Sequence, residues 1–97
     1  MTFIQVLDLR ASNYEEIHAL DVKWRGATEG KRTLRRSIIG RDRNDSEHYV
    51  VLAFFDDYEA AMTNSALPET DEFATGLAAR LDAPPTFIDL DVIEDQS

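Results

Sequence analysis

Cysteine is absent from all 97 residues, which excludes disulfides and thiolate-held metals and leaves the redox compartment undetermined. Glycine and proline are scarce, at four and three, and the glycines are scattered. No Gly-rich phosphate loop or nucleophile elbow can be assembled from them. The two histidines, His18 and His48, fall at no ligand spacing, so no metal site is expected. Long apolar runs are also missing. The first one, Phe3 to Leu9, is interrupted by Gln5 and Asp8 and follows no basic leader. It is too short and too polar for a signal peptide or a membrane anchor, and a cytoplasmic protein is expected.

Basic residues are rare outside one stretch. Residues 23–43 hold eight of the ten, against only Glu29 and Asp42, a local charge of +6. The rest of the chain carries two bases and 17 acids, and the whole has a net charge of −9. A pI near 4.5 argues against nucleic acid, whose phosphates require a basic footprint. The basic stretch keeps a phosphate ligand as an alternative. It is expected to meet acidic side chains, within one protomer or between two.

Hydrophobic content of 43% and charged content of 30% describe one globular domain over residues 1–97. A chain of this size buries roughly 60–70% of its unfolded surface on folding, so a partner subunit would add usefully to its core.

The apolar pattern alternates between the two periods. Phe3–Leu9 reads as a strand. Ser12 or Asn13 can cap a helix with Glu15 and Glu16 in its first turn, and Ile17, Leu20 and Trp24 form its stripe until Gly26 and Gly30. Arg32–Gly40 and His48–Phe55 are strands about an Asn44-Asp45 turn, the second apolar on both faces. Gly40 marks a bulge or strand end. Asp56 or Asp57 caps a second helix, interrupted at Asn64-Ser65; Pro68 opens a further segment carrying Phe73, Leu77 and Leu81, stopped by Pro84-Pro85. In the last strand, Thr86–Ile93, Ile88, Leu90 and Val92 share one face and Phe87, Asp89, Asp91 and Ile93 the other.

The order β-α-β-β-α-β, with the second helix broken, predicts an α+β, ferredoxin-like fold: a four-stranded antiparallel sheet with helices on one face. The apolar set Ile88, Leu90 and Val92 is expected to face the helices. The opposite sheet face would expose Phe87, Ile93 and one alternating set from each central strand, a patch larger than monomers usually carry. A homodimer through these faces is expected, with Arg32, Arg35 and Arg36 opposite Asp89, Asp91 and Glu94 of the second copy. A solvated edge, with weak ion pairs, is the alternative for these arginines.

Along its whole length the chain resembles the dimeric α/β-barrel superfamily, near its antibiotic-biosynthesis-monooxygenase-like members, and is similar to small uncharacterised actinobacterial-type proteins of that group. EGKRTLRRSIIGRDR running into HYVVLAFF, then YEAAMTNSALPETDEF and PPTFIDLDVIED, carry the likeness. The resemblance implies a ligand in a cleft between helices and sheet. Members include cofactor-independent oxygenases of aromatic polyketides, haem-degrading oxygenases, isomerases and cyclases. Haem degradation as that family performs it does not transfer: strand one offers Gln5 rather than Asn, Trp24 lies on the first helix, and no histidine follows His48. No cofactor is expected.

Residues suited to chemistry are few. His18, with Asp21 one turn later, has the pattern of a carboxylate-tuned base; an exposed helix histidine is the plainer reading. Asn64 or Arg36 can stabilise an enolate-like oxygen, although Asn64 also suits a helix end. Tyr14, Trp24, His48, Tyr58 and Phe73 are the candidate ligand-binding residues, with Trp24 either a core residue or a flat wall. Asp89 and Asp91, if they lay inside a barrel, would form a carboxylate pair with one raised pKa; charge pairing with arginine is the simpler account. The expected function is binding of a small apolar or aromatic molecule, with oxygenation, isomerisation or cyclisation as possible chemistry and a non-catalytic binding or interaction module as the alternative. A concave pocket with two or more inward polar groups favours the former; a cleft filled by Trp24 and Phe73 favours the latter.

Overall fold

A computed structural model describes residues 2–97. The elements run β1 (Phe3–Arg10), α1 (Tyr14–Ala27), β2 (Arg36–Arg41), β3 (His48–Phe55), α2 (Tyr58–Ser65), α3 (Pro68–Arg80) and β4 (Thr86–Asp91). The strands form one antiparallel sheet in the order β2-β3-β1-β4, the ferredoxin-like arrangement. No described helix is long and apolar enough to cross a membrane.

Local chemistry sets the helix limits. Asn13 caps α1 by accepting the Glu15 N–H, and Asp57 caps α2 through the Ala60 N–H. Gly26 does not end α1. The helix continues to Ala27 and closes at Thr28, whose hydroxyl and N–H both donate to the Trp24 carbonyl. Gly30 follows at φ 81°, a conformation only glycine takes without strain. Pro68 occupies the first turn of α3, where its missing N–H costs nothing.

Strand β2 begins four residues later than the apolar pattern suggests. The backbone N–H of Thr33 donates to Asn64 Oδ1 and its hydroxyl to the Ala60 carbonyl, so this part of the chain is tied to α2 rather than to a ladder. Pairing with β3 starts at Arg35, whose N–H donates to the Phe54 carbonyl.

Register decides which side chains share a face, because directly paired residues point the same way. Toward the helices lie the rows Ile39–Val51–Leu7–Phe87 and Ser37–Ala53–Gln5–Asp89, with Phe3, Phe55, Leu9 and Tyr49 beyond them. Away from the helices lie Arg36–Phe54–Ile4–Leu90 and Ile38–Leu52–Val6–Ile88. The facing of β4 is thus the reverse of the expectation: Ile88 and Leu90 lie on the helix-free face, while Phe87, Asp89 and Asp91 look toward the helix layer. Strict alternation sets the period of a strand but not its sign, and an edge strand whose helix-side neighbours are sparse can place its mixed set there.

The core divides in two. At one end Leu9, Ala11, Ile17, Tyr49 and Leu77 form a buried cluster joining α1 and α3 to the sheet. At the other, Phe3, Ala53, Phe55 and Ala61 join α2 to it, with Leu34 packed alongside. Helices α1 and α3 pack on one another and, through Ile17 and Leu77, on the sheet, while α2 approaches β1 and β3.

The basic stretch is largely neutralised within the protomer. Lys23 pairs with Glu72, Arg25 with Asp21, Lys31 with Glu69 and Arg35 with Asp56. Arg32 donates to the Arg25 carbonyl and lies over the Trp24 ring. Of the three arginines expected to reach a second copy, only Arg36 lies on the helix-free face, over Phe54.

Candidate functional site

Between the two core clusters the helix layer and the sheet enclose a cleft of about 210 Å³. It follows from residue size. Phe3, Leu7 and Leu9 on β1 are large, but Gln5 between them is polar, and on β3 Ala53 separates Val51 from Phe55. The row Ser37–Ala53–Gln5–Asp89 therefore crosses all four strands without one large apolar side chain, and nothing fills the space above it. A wider groove of about 540 Å³ runs along the junction of α1 and α3, but Lys23, Glu69, Asp71, Glu72 and Arg80 line it and the Lys23–Glu72 ion pair spans it. The inner cleft is smaller and mostly apolar, the character of a small-molecule site, although its volume falls below the usual range of roughly 300–1,000 Å³.

Five of the sequence candidates line this cleft: Tyr14, His18, Trp24, Asn64 and Phe73. Tyr14 stacks on Tyr49 and His18, with ring centroids 5.3 and 6.0 Å apart. Trp24 is buried and held on several sides. Its indole N–H donates to Thr70 Oγ1 at 2.9 Å, Phe73 packs 6.1 Å away, and the Arg32 guanidinium sits above the ring. It forms a fixed wall and has no free donor. Asn64 is 6% exposed, and its Oδ1 accepts the Thr33 N–H at 3.3 Å.

The expected pairing of His18 with Asp21 is not formed. Asp21 Oδ2 instead takes the Arg25 guanidinium at 2.7 Å, one turn along the helix, and His18 is exposed at the cleft mouth. A base oriented by a carboxylate is therefore lacking, though an imidazole does border the space.

The other three candidates lie elsewhere. Arg36 and His48 are on the helix-free sheet face, and Tyr58 is half-exposed on α2, edge-on to Phe3 at 5.5 Å. His48 sits between two carboxylates, with Nδ1 2.8 Å from Asp42 and Nε2 3.0 Å from Asp8. The hydrogen bond to Asp42, then that to Asp8, raises its pKa above the ordinary histidine value, and the same contact with His48 lowers that of Asp42. Asp89 and Asp91 are exposed at the β4 edge, two residues apart on the helix side, and Asp89 Oδ1 faces Gln5 Nε2 at 3.5 Å.

Gln5, Ser37 and Thr70 contribute polar atoms to the lining and are not among the candidates expected from the sequence. Their signal is an interruption: Gln5 breaks the helix-facing set of β1 and Ser37 that of β2. The coincidence of the two breaks in one row becomes visible only with the register.

No family model and no curated protein matches this sequence. Solved structures do. SnoaB, a cofactor-independent oxygenase from Streptomyces nogalater, superposes with a TM-score of 0.81 at 17% identity, over 97% of this chain and 95% of that one. A provisionally named antibiotic biosynthesis monooxygenase from Caulobacter crescentus CB15 gives a TM-score of 0.81 at 12% identity, over 96% and 91%. A dimeric ferredoxin-like protein of unknown function from Jannaschia sp. CCS1 gives 0.78 at 16% identity, over 95% and 100%. At these identities the likeness concerns the fold: the chain has the ferredoxin-like architecture of the antibiotic-biosynthesis-monooxygenase-like proteins.

Proposed function

We propose that two copies of this chain associate through their helix-free sheet faces and that each binds a small apolar or aromatic molecule in the cleft between helices and sheet. The observation carrying this reading is the divided core. A sequence with enough aromatic and aliphatic residues to fill its interior instead places a polar row beneath a buried Asn64 and a pinned Trp24.

In the catalytic form of the proposal, the chemistry is cofactor-independent oxygenation, isomerisation or cyclisation. His18 at the mouth takes a proton, Asn64 stabilises the resulting enolate-like oxygen, and Trp24 supplies a flat apolar wall. The structural likeness to a cofactor-independent oxygenase supports that direction. A specific observation favours the other reading, a dimer that binds without turnover: Asp21 is occupied by Arg25, so no carboxylate among the described residues orients His18 as a base. Mass spectrometry of the natively purified protein, followed by a thermal-shift screen of phenolic and anthrone-type molecules, tests ligand binding. For any compound that is turned over, His18→Ala should abolish turnover while leaving the melting temperature near that of the parent. Unchanged turnover would reject His18 as the base.

A further inference from the structure

One cluster of charged side chains plays no part in the cleft. Each ring nitrogen of His48 meets a carboxylate: Nδ1 is 2.8 Å from Asp42 Oδ2, and Nε2 is 3.0 Å from both oxygens of Asp8. A carboxylate only accepts, so both nitrogens carry hydrogen and the bridge exists only as the imidazolium. The raised pKa of His48 has the same cause. The two acids are not equivalent. Asp42, on the loop after β2, also accepts the Asn44 N–H, and its own N–H donates to the His48 carbonyl. Asp8, on β1, has no other side-chain donor among the described residues, because the nearby Arg10 guanidinium is taken by Asp45 at 2.7 Å. Glu47 adds a further negative charge close to Arg10, and on β4 the neighbour of Asp8 is the uncharged Thr86. Acids thus outnumber bases around His48, and loss of its proton makes the cluster one unit more negative.

Asp8 also lies where a second copy would sit. Its row, Gly40–Val50–Asp8–Thr86, borders Ile38–Leu52–Val6–Ile88 on the helix-free face. That apolar row and the next, Arg36–Phe54–Ile4–Leu90, together cover roughly 250 Å² in projection, at about 4.8 Å per strand and about 6.8 Å per row. An interface of ordinary size takes about 800 Å² of accessible surface from each partner, so it extends over the row of Asp8. We propose that the Asp42–His48–Asp8 bridge makes association of two copies through this face proton-dependent, with the dimer favoured while His48 is charged. This rests on the dimer reading above and adds its regulation. As pH rises the proton leaves, Asp42 keeps a neutral imidazole N–H, and Asp8 becomes a bare carboxylate beside a nitrogen lone pair. Water hydrates that carboxylate in a free protomer, whereas the dimer contact strips it, so dissociation is favoured.

Sedimentation equilibrium of the full chain over a concentration series, repeated at constant ionic strength from about pH 6 to about pH 9, tests this. The dissociation constant should rise by about 10-fold or more across that range, since two histidines lose their protons per dimer. His48→Gln leaves every other titrating group in place and should remove most of the dependence. Asp8→Asn should remove it as well, and its dimer should persist at the upper end of the range, where the parent dissociates. Because the pH series is read on the unsubstituted chain, the conclusion does not depend on either variant folding. A parent dimer whose dissociation constant stays level with pH would overturn the inference and leave the dimer standing, as would an undiminished dependence in both variants. A parent that is monomeric at every pH would overturn the dimer itself, and this inference with it.

Discussion

Leu52→Asp is the sharpest perturbation of the proposed dimer. Leu52 lies on central strand β3 in the row Ile38–Leu52–Val6–Ile88, and the next row adds Phe54, Ile4 and Leu90 on the same face. In an isolated protomer this face meets water, so an aspartate there is solvated and the fold survives. In a face-to-face dimer the same position lies near the middle of the contact. Leu52 is already half-buried in the protomer, so the contact adds about a third or less of the 1.5–3 kcal/mol of a fully buried leucine, and twofold symmetry removes that share twice, about 1–2 kcal/mol per dimer. At 1.4 kcal/mol per tenfold, that alone raises the dissociation constant by about 5- to 30-fold. A carboxylate without a partner adds a desolvation cost in the same direction. Sedimentation velocity across a concentration series should find the parent dimeric at micromolar concentration and the variant monomeric, with matching far-UV circular dichroism. A parent that sediments as a monomer, or a variant whose association is unchanged, would refute the reasoning.

Further outcomes follow from individual contacts. His48 has a folded pKa raised by Asp42 and Asp8, so its contribution to stability is complete below about 6.5, the usual unfolded value, and is lost as pH rises through the higher folded pKa. His48→Gln should flatten that part of the pH–stability profile, and an NMR titration of the imidazole should place its midpoint above the ordinary value. Asn64→Leu leaves the Thr33 N–H without its acceptor and should destabilise the fold by about 1–3 kcal/mol in urea unfolding, with Asn64→Asp, which keeps an acceptor, less affected than Asn64→Leu on the same measurement. Trp24→Phe removes the donor to Thr70 and should cost about 0.5–1.5 kcal/mol while leaving the secondary structure intact.

Much of the architecture was legible before any coordinates. Capping candidates at Ser12 or Asn13 and at Asp56 or Asp57, proline at the start of α3 and the two hydrophobic periods delimit the elements, and their order restricts the sheet to very few topologies; the structure settles the caps as Asn13 and Asp57. The candidate cleft was legible in part. Tyr14, His18, Trp24, Asn64 and Phe73 all border it, with Trp24 turned inward on the buried stripe of α1 and His18 exposed at the mouth. Arg36 and His48 do not join them, since each sits at an even-numbered strand position that the pleat turns to the opposite face.

Local periodicity and capping chemistry are properties of neighbouring residues, and for those the amino-acid order suffices: strands, helices, their succession and the segregation of charge are all written in it. Which face of β4 meets the helices is not, because a strand with one apolar and one mixed side satisfies alternation either way until its neighbours are in place. The partners of the basic stretch are likewise decided in three dimensions, where the N-terminal half of α3 comes to lie beside the C-terminal half of α1 and its glutamates take up Lys23 and Lys31. So is the cleft itself. Ser37, Ala53, Gln5 and Asp89 come from four separate strands, and only the hydrogen-bonded register brings them into one row of side chains too small or too polar to fill the space beneath the helices.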